Sequence, residues 1–156
     1  MRVVDVALRV YCVHPISGLS FKQVVDYYSR VVPALEHLGY NVFHPMIGKM
    51  YLQTEGSIKS EGYDNPLSKD HAIMGRDHWM VRTSDIIYAN LLGAKIVSIG
   101  SCMELAWAYD RGKHTVVVME KNNPHRHAFV LEAAHIVFET EKEALDYLEK
   151  LAKGTI

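Results

Sequence analysis

Val6-Ala7-Leu8-Arg9-Val10-Tyr11-Cys12-Val13 is an apolar run with β-branched valines and a single charge in it, and His14-Pro15-Ile16-Ser17-Gly18 breaks it. A strand exposed on one face alternates apolar and polar residues, whereas a strand of a parallel sheet, covered on both faces, does not. The run therefore predicts a parallel strand, and with it a layered α/β architecture.

Outward from this strand the alternation continues. Ser20 is placed to cap a helix in which Val24, Val25, Tyr28, Val32, Leu35 and Leu38 recur at helical spacing, and Gly39 ends it. Pro33 inside that pattern predicts a kink or a split, because proline lacks the N–H and crowds the preceding turn. Tyr40 to His44 reads as a second strand closed by Pro45, which completes a right-handed strand–helix–strand unit. Ser68 is placed to cap a helix to about Arg82, with Ile73, Met74 and Met80 or Val81 inward. Asp85 to Leu92 follows as a third strand, Ser101 to Gly112 as a helix and Thr115 to Met119 as a fourth strand. Phe129 to Ala134 reads as a short helix, His135 to Phe138 as a short strand, and Thr140 as the cap of a last helix from Glu141 to Lys153. The expected fold is a single Rossmann- or flavodoxin-like domain over 1–156, about five parallel strands with helices on both faces.

Composition narrows the classes of function. The chain has 156 residues, 49% hydrophobic and 22% charged, with 17 Lys and Arg against 18 Asp and Glu. A net charge of −1 provides no field for a nucleic-acid backbone or an anionic membrane. No apolar run reaches the ~20 residues of a membrane span, and the N-terminus lacks a signal-peptide layout, so a cytoplasmic protein is expected. Two cysteines, Cys12 and Cys102, are too few for a disulfide framework or a four-thiolate zinc site, and both are read as small buried residues.

Met46 to Lys69 carries three glycines and a proline with no sustained period. A loop this long is usually a lid or an insertion, here expected near the active site. Tyr51 and Tyr63 in it either cover a substrate or pack the loop down.

In parallel α/β sheets ligands bind beyond the carboxyl ends of the strands. Three polar loops fall there and should converge on one pocket: the one after the first strand, the one before Glu104, and Asn122-Asn123-Pro124-His125-Arg126-His127. Ser101 and Glu104 stand at the spacing of a capping box, which would put Glu104 in the first helical turn. There the positive helix end and unpaired N–H groups would favour its ionised form. Asp70-His71 recurs seven residues later as Asp77-His78, either a solvated stripe or a functional face. His125 and His127, with His14 or His44, offer a metal reading, but a lone His-x-His lacks the fuller ligand sets of zinc enzymes, and no metal is expected. No G-x-G-x-x-G or Walker sequence is present, and no cofactor is expected.

VYCVHPISG (10–18), GRDHW (75–79), SDIIYANL (84–91) and SIGSCMELAWAYDRGK (98–113) together, in this order and spacing, resemble the nucleoside 2-deoxyribosyltransferase family. The resemblance implies that Glu104 attacks the anomeric carbon of a nucleoside, releases the base and passes the sugar to a second base with retention. It further implies that Tyr11 holds the Glu104 carboxylate by a hydrogen bond and that Asp77 protonates the departing base. At position 98 this family commonly carries an aspartate. Ser98, with Ser17 and Gly18, resembles instead the related nucleoside 5′-monophosphate N-glycosidases, where such residues bind phosphate. His14, Asn90, Gly100 and His127 complete the implied substrate-binding set, His127 near where the family places an amide that orients substrate. The implied partners are nucleosides or nucleotides and free nucleobases, in a homo-oligomer built from dimers, a tetramer or a hexamer. Trp79, Met80, Trp107 and Tyr109 are candidates for its interfaces. Three functions follow from these residues: base exchange on 2-deoxyribose, hydrolysis of a nucleoside 5′-monophosphate, or a non-catalytic binding module on the same fold.

Overall fold

The computed structural model of the protein describes residues 6–154. Five strands, β1 (Arg9–Val13), β2 (Asn41–Phe43), β3 (Ile86–Asn90), β4 (His114–Val118) and β5 (Ile136–Phe138), form one sheet in the order β2-β1-β3-β4-β5, every neighbouring pair parallel. The connections are α1 (Phe21–His37), α2 (Asp70–Thr83), α3 (Ile99–Asp110) and α4 (Ala128–Ala133), and α5 (Glu141–Lys153) closes the chain. This is the α/β architecture that the apolar runs predicted.

Two cores lie on the two faces of the sheet. Val10, Cys12, Tyr88, Val116 and Val118 pack under α1 and α5, with Val24, Val31, Leu35, Ala144 and Leu148. Tyr11, Val13, Ile87, Ala89 and Val117 point the other way, to Met80 and Val81 of α2, Leu105 and Ala108 of α3 and Val130 of α4. The period of two along β1 thus sends Tyr11 to the α2/α3 side and Cys12 to the α1/α5 side. Tyr11 stands level with Phe43 of β2 and Ile87 of β3, at the point where the strand order reverses direction.

Several local expectations change. α1 runs unbroken through Pro33, which sits on its exposed side, so the missing N–H leaves only the solvent-facing Ser29 carbonyl unbonded. The buried stripe of α1 is Val24, Tyr27, Tyr28, Val31 and Leu35, one position round from the predicted one. Ser20 and Thr140 cap their helices as expected, each in a capping box with Gln23 or Glu143, worth about 1 kcal/mol apiece. Ser68 does not cap α2: it is buried in a short 3₁₀ turn, Pro66–Ser68, and its hydroxyl bonds Tyr51, so Tyr51 packs the long loop down. Met74 is 47% exposed, because the inner face of α2 carries Asp77, Met80 and Val81. Met80, read as an interface candidate, is buried within the protomer, whereas Trp79 and Tyr109 are exposed. Cys12 is buried but Cys102 only half-buried. Among the described residues no helix is long and apolar enough to cross a membrane.

Candidate active site

The residues of interest hang from the carboxyl end of the sheet. Tyr11 occupies the middle of β1, flanked on both sides by paired strands, and is fully buried. Its hydroxyl donates to Oε1 of Glu104 at 2.6 Å, a contact between residues 93 apart in sequence. Glu104 is 8% exposed and faces a cavity of about 200 Å³. Asp77 of α2, also 8% exposed, lines the same cavity, together with Asp70, Ile73, Met74, Gly100, Met103, Trp107 and Ser60 of the long loop. A larger cavity of about 370 Å³ at the opposite end of the sheet, lined by Val6, Leu8, Leu38 and Tyr40 among others, shows no acid, base or nucleophile free to react among the described residues: the Tyr40 hydroxyl is given to the Leu148 carbonyl.

The predicted Ser101–Glu104 capping box does not form. The cap lies three residues earlier, at Ser98, and α3 starts at Ile99: Ser98 Oγ accepts from the Ser101 N–H at 3.3 Å and from the Ser101 hydroxyl at 3.0 Å. Glu104 therefore lies in the second turn, where the positive helix end acts on it less. Its environment reverses the expected charge balance. Burial is the largest influence and pushes the carboxyl up to about 8; the Tyr11 hydrogen bond and the Lys49 cation pull it down, and the Asp77 charge pushes it further up. Burial raises Asp77 too, against the opposing pull of Lys49 and Arg76.

Two cations here went unnoticed in the sequence. Arg76 Nη2 donates to the Pro45 carbonyl at 2.9 Å and stands 3.5 Å from Asp77 Oδ1, close enough for an ion pair but not aligned as a hydrogen bond. Lys49, in the turn after β2, is 4% exposed, and burial lowers its ammonium to about 8. The only sequence signal was their position, one beside Asp77 and the other at the start of the long loop.

The other predicted residues divide. Gly100 lines the cavity. Ser98 is half-buried and spent on capping, and its N–H donates to His125 Nε2 at 2.8 Å. Ser17 and Gly18 are exposed in the turn after β1, and the Gly18 N–H is occupied by the Ile58 carbonyl at 2.9 Å. His14 and Asn90 fall on the α1/α5 side: His14 Nδ1 meets the Asn90 carbonyl at 2.8 Å and the ring stacks on Tyr27 at 3.8 Å, while Asn90 Nδ2 donates to Glu141 at 2.9 Å. His127 is exposed and caps α4. The three strand-end loops thus meet in part: the loop after β4 joins the start of α3 through His125, while the turn after β1 lies apart with the long loop. Among the described residues no three His, Cys, Asp or Glu side chains are grouped to hold a metal ion.

The family model described as nucleoside 2-deoxyribosyltransferase matches residues 17–148. In sequence, no curated protein matches the chain. Among solved structures, a 2-deoxyribosyltransferase from Bacillus psychrosaccharolyticus superposes with a TM-score of 0.64 at 16% identity, over 89% of this chain and 91% of the other. One from Leishmania mexicana gives 0.64 at 16%, over 92% and 97%, and the CMP N-glycosidase BcmB of Clostridium botulinum gives 0.55 at 18%, over 90% and 98%. At such identities these likenesses establish the fold.

Proposed function

The chain belongs to the nucleoside 2-deoxyribosyltransferase family, and from that membership we propose that it cleaves the N-glycosidic bond of a 2′-deoxynucleoside through a covalent ester on Glu104 and transfers the sugar to a second nucleobase. Oε2 of Glu104 attacks C1′ as the bond from C1′ to the base nitrogen breaks. The electron pair leaves with the base, which takes a proton from the Asp77 carboxyl. An incoming base then attacks C1′ from the vacated side, the ester oxygen departs as carboxylate, and the proton lost by the new base returns to Asp77. Two inversions give retention.

One observation carries this reading: the 2.6 Å hydrogen bond from the fully buried Tyr11 to Glu104, which fixes one carboxylate oxygen and leaves the other toward a cavity walled by Asp77. A carboxyl pushed up by burial is also desolvated, and a desolvated carboxylate, once ionised, is the better nucleophile. Asp77, raised as well, retains a proton more readily than an exposed aspartate, as an acid for the leaving base requires.

Among the described residues the side chains lining the cavity include Asp70, Asp77 and Glu104 and no Lys or Arg, Arg76 and Lys49 lying behind them, which favours a neutral nucleoside. A 5′-monophosphate has one favourable place, the start of α3 beside Ser98 and Gly100. Hydrolysis to free base and sugar is the same first step with water as acceptor. Incubating the protein with 2′-deoxyinosine, with and without adenine, and separating the products by chromatography tests the proposal. Deoxyadenosine formed only with adenine present is the expected result, and hypoxanthine release unaffected by adenine assigns the hydrolase instead. The same family membership leads us to propose a homo-oligomer, with the exposed Trp79 and Tyr109 at an interface.

A further inference from the structure

Asp77 and Glu104 are both nearly inaccessible, and two buried carboxylates require counter-charge if both are to ionise. The groups facing them come from four elements. Tyr11 of β1 and Tyr28 of α1 are neutral phenols held well above their ordinary range by burial. His44, stacked on Tyr28 at 4.6 Å and lowered by burial to about 4, is neutral as well. Asp70 of α2 adds negative charge at the cavity wall, one oxygen accepting the Gly62 N–H at 3.1 Å. That leaves two cations, Arg76 and Lys49.

Arg76 is committed elsewhere. It bonds the Pro45 carbonyl and, at 3.4 Å, the Ile47 carbonyl, and its charge sits against Asp77. By clamping Pro45 and Ile47 it also fixes the turn that carries Lys49. That turn is further closed by the Lys49 N–H on the Met46 carbonyl at 3.0 Å and the Leu52 N–H on the Lys49 carbonyl at 3.1 Å. Lys49 is thus a largely buried lysine delivered by a rigid turn. It closes no direct ion pair or side-chain hydrogen bond among the described residues, yet lies within the field of Glu104 and Asp77.

A lysine in this position is an unusual use of a long polar side chain, since burying it costs solvation that packing alone does not return. We propose that Lys49 is a positioning residue for the reaction: its charge, delivered by the turn after β2, favours the ionised form of Glu104 that attacks. The inference rests on Glu104 being the nucleophile. Removing the ammonium leaves Glu104 to Tyr11 alone, and its proton then comes off only at higher pH. Arginine at the position keeps the charge and cannot lose it.

The test compares kcat/KM from pH ~5.5 to ~9.5 for the wild type, Lys49→Met, Lys49→Gln and Lys49→Arg, with 2′-deoxynucleosides as donors and adenine as acceptor. The acid limb should move up by on the order of one pH unit in Lys49→Met and Lys49→Gln and return in Lys49→Arg. An unmoved limb, or a loss of rate equal at all pH values, overturns the inference. A second arm needs no turnover. Near pH ~8, Glu104→Gln should raise the melting temperature more in a Lys49→Met or Lys49→Gln background than with lysine present, because the lysine adds to the Tyr11 hydrogen bond in offsetting the buried carboxylate. Equal gains overturn the inference. A Glu104→Gln variant that still turns over substrate sinks the nucleophile assignment instead, and the two failures are told apart.

Discussion

The loop after β4 and the turn after β2 both deliver polar side chains into the interior at the same end of the sheet, and they treat them differently. In the first, Asn123 Nδ2 donates to the Leu91 carbonyl at 2.7 Å and to Glu120 at 2.7 Å, and its Oδ1 accepts from the His125 N–H and faces His125 Nδ1 at 2.9 Å. His125 Nε2 accepts the Ser98 N–H, so the proton of the ring is on Nδ1 and the histidine is neutral. Each of these buried groups has a partner. Around the turn after β2, His44 Nδ1, Arg76 Nε and Asp77 Oδ1 are buried with no hydrogen-bond partner among the described residues, and Lys49 makes no direct pair among them. Native structures rarely leave such groups unsatisfied without a use for them. The bonded loop is a scaffold that holds the start of α3, and the under-bonded one is where a ligand's polar atoms are expected to complete the set.

The contrast breaks most sharply at Glu104. Glu104→Gln should lower turnover by several orders of magnitude, roughly 10³-fold or more in single-turnover assays, while the protein stays folded. It should also be more stable than the wild type at mildly alkaline pH. A carboxyl raised from about 4.5 to about 8 favours the folded state when protonated, so its contribution is present at low pH and is lost as pH rises through that window. Thermal melts at pH ~5 and ~8 should show the two proteins diverging by on the order of 2 kcal/mol at the higher value. By the same ionisation, kcat/KM of the wild type should climb with pH up to about 8.

On the scaffold side the expectation is the reverse. His125→Ala leaves the Ser98 N–H and Asn123 Oδ1 without their partner and should cost about 2 kcal/mol of stability in denaturant unfolding. Activity should fall only as far as the start of α3 shifts. His125 is held below the ordinary histidine range by burial, so its contribution to stability is present at neutral pH and is lost as pH falls below about 6.5. A His125→Ala protein as stable as the wild type at neutral pH would remove the distinction between the two loops.

A smaller effect sharpens the comparison at their junction. Ser98 caps α3 beside Gly100, and Ser98→Asp preserves the cap while adding negative charge. If a 5′-phosphate binds there, its use should drop about tenfold against that of the free nucleoside, since like charges a few ångströms apart repel by ~1 kcal/mol or more even in water. An equal effect on both substrates places the phosphate elsewhere. Finally, light scattering at micromolar protein should show a species larger than the 17.7 kDa chain if Trp79 and Tyr109 are covered by a second copy.

Much of this molecule was legible in the chain because its signals are local. The apolar run ending at Val13 requires cover on both faces, and that requirement alone implies helices on both sides of a parallel sheet. Ser20 and Thr140 cap helices because a hydroxyl reaches an N–H three residues on, whatever the rest of the protein does. The motif around Glu104 marked the family, and with it Tyr11 and Asp77 as companions. Local pattern misled where two caps competed. Ser98 and Ser101 each precede a polar partner at the right spacing, and packing of Leu105 and Ala108 against the sheet, with His125 holding the Ser98 N–H, chose the earlier start. The charge state of Glu104, the clamp of Arg76 on Pro45 and Ile47 and the burial of Lys49 were decided by tertiary structure alone. Each depends on which groups from distant segments exclude water from one another, and desolvation is a property of the assembled surroundings, not of neighbours along the chain.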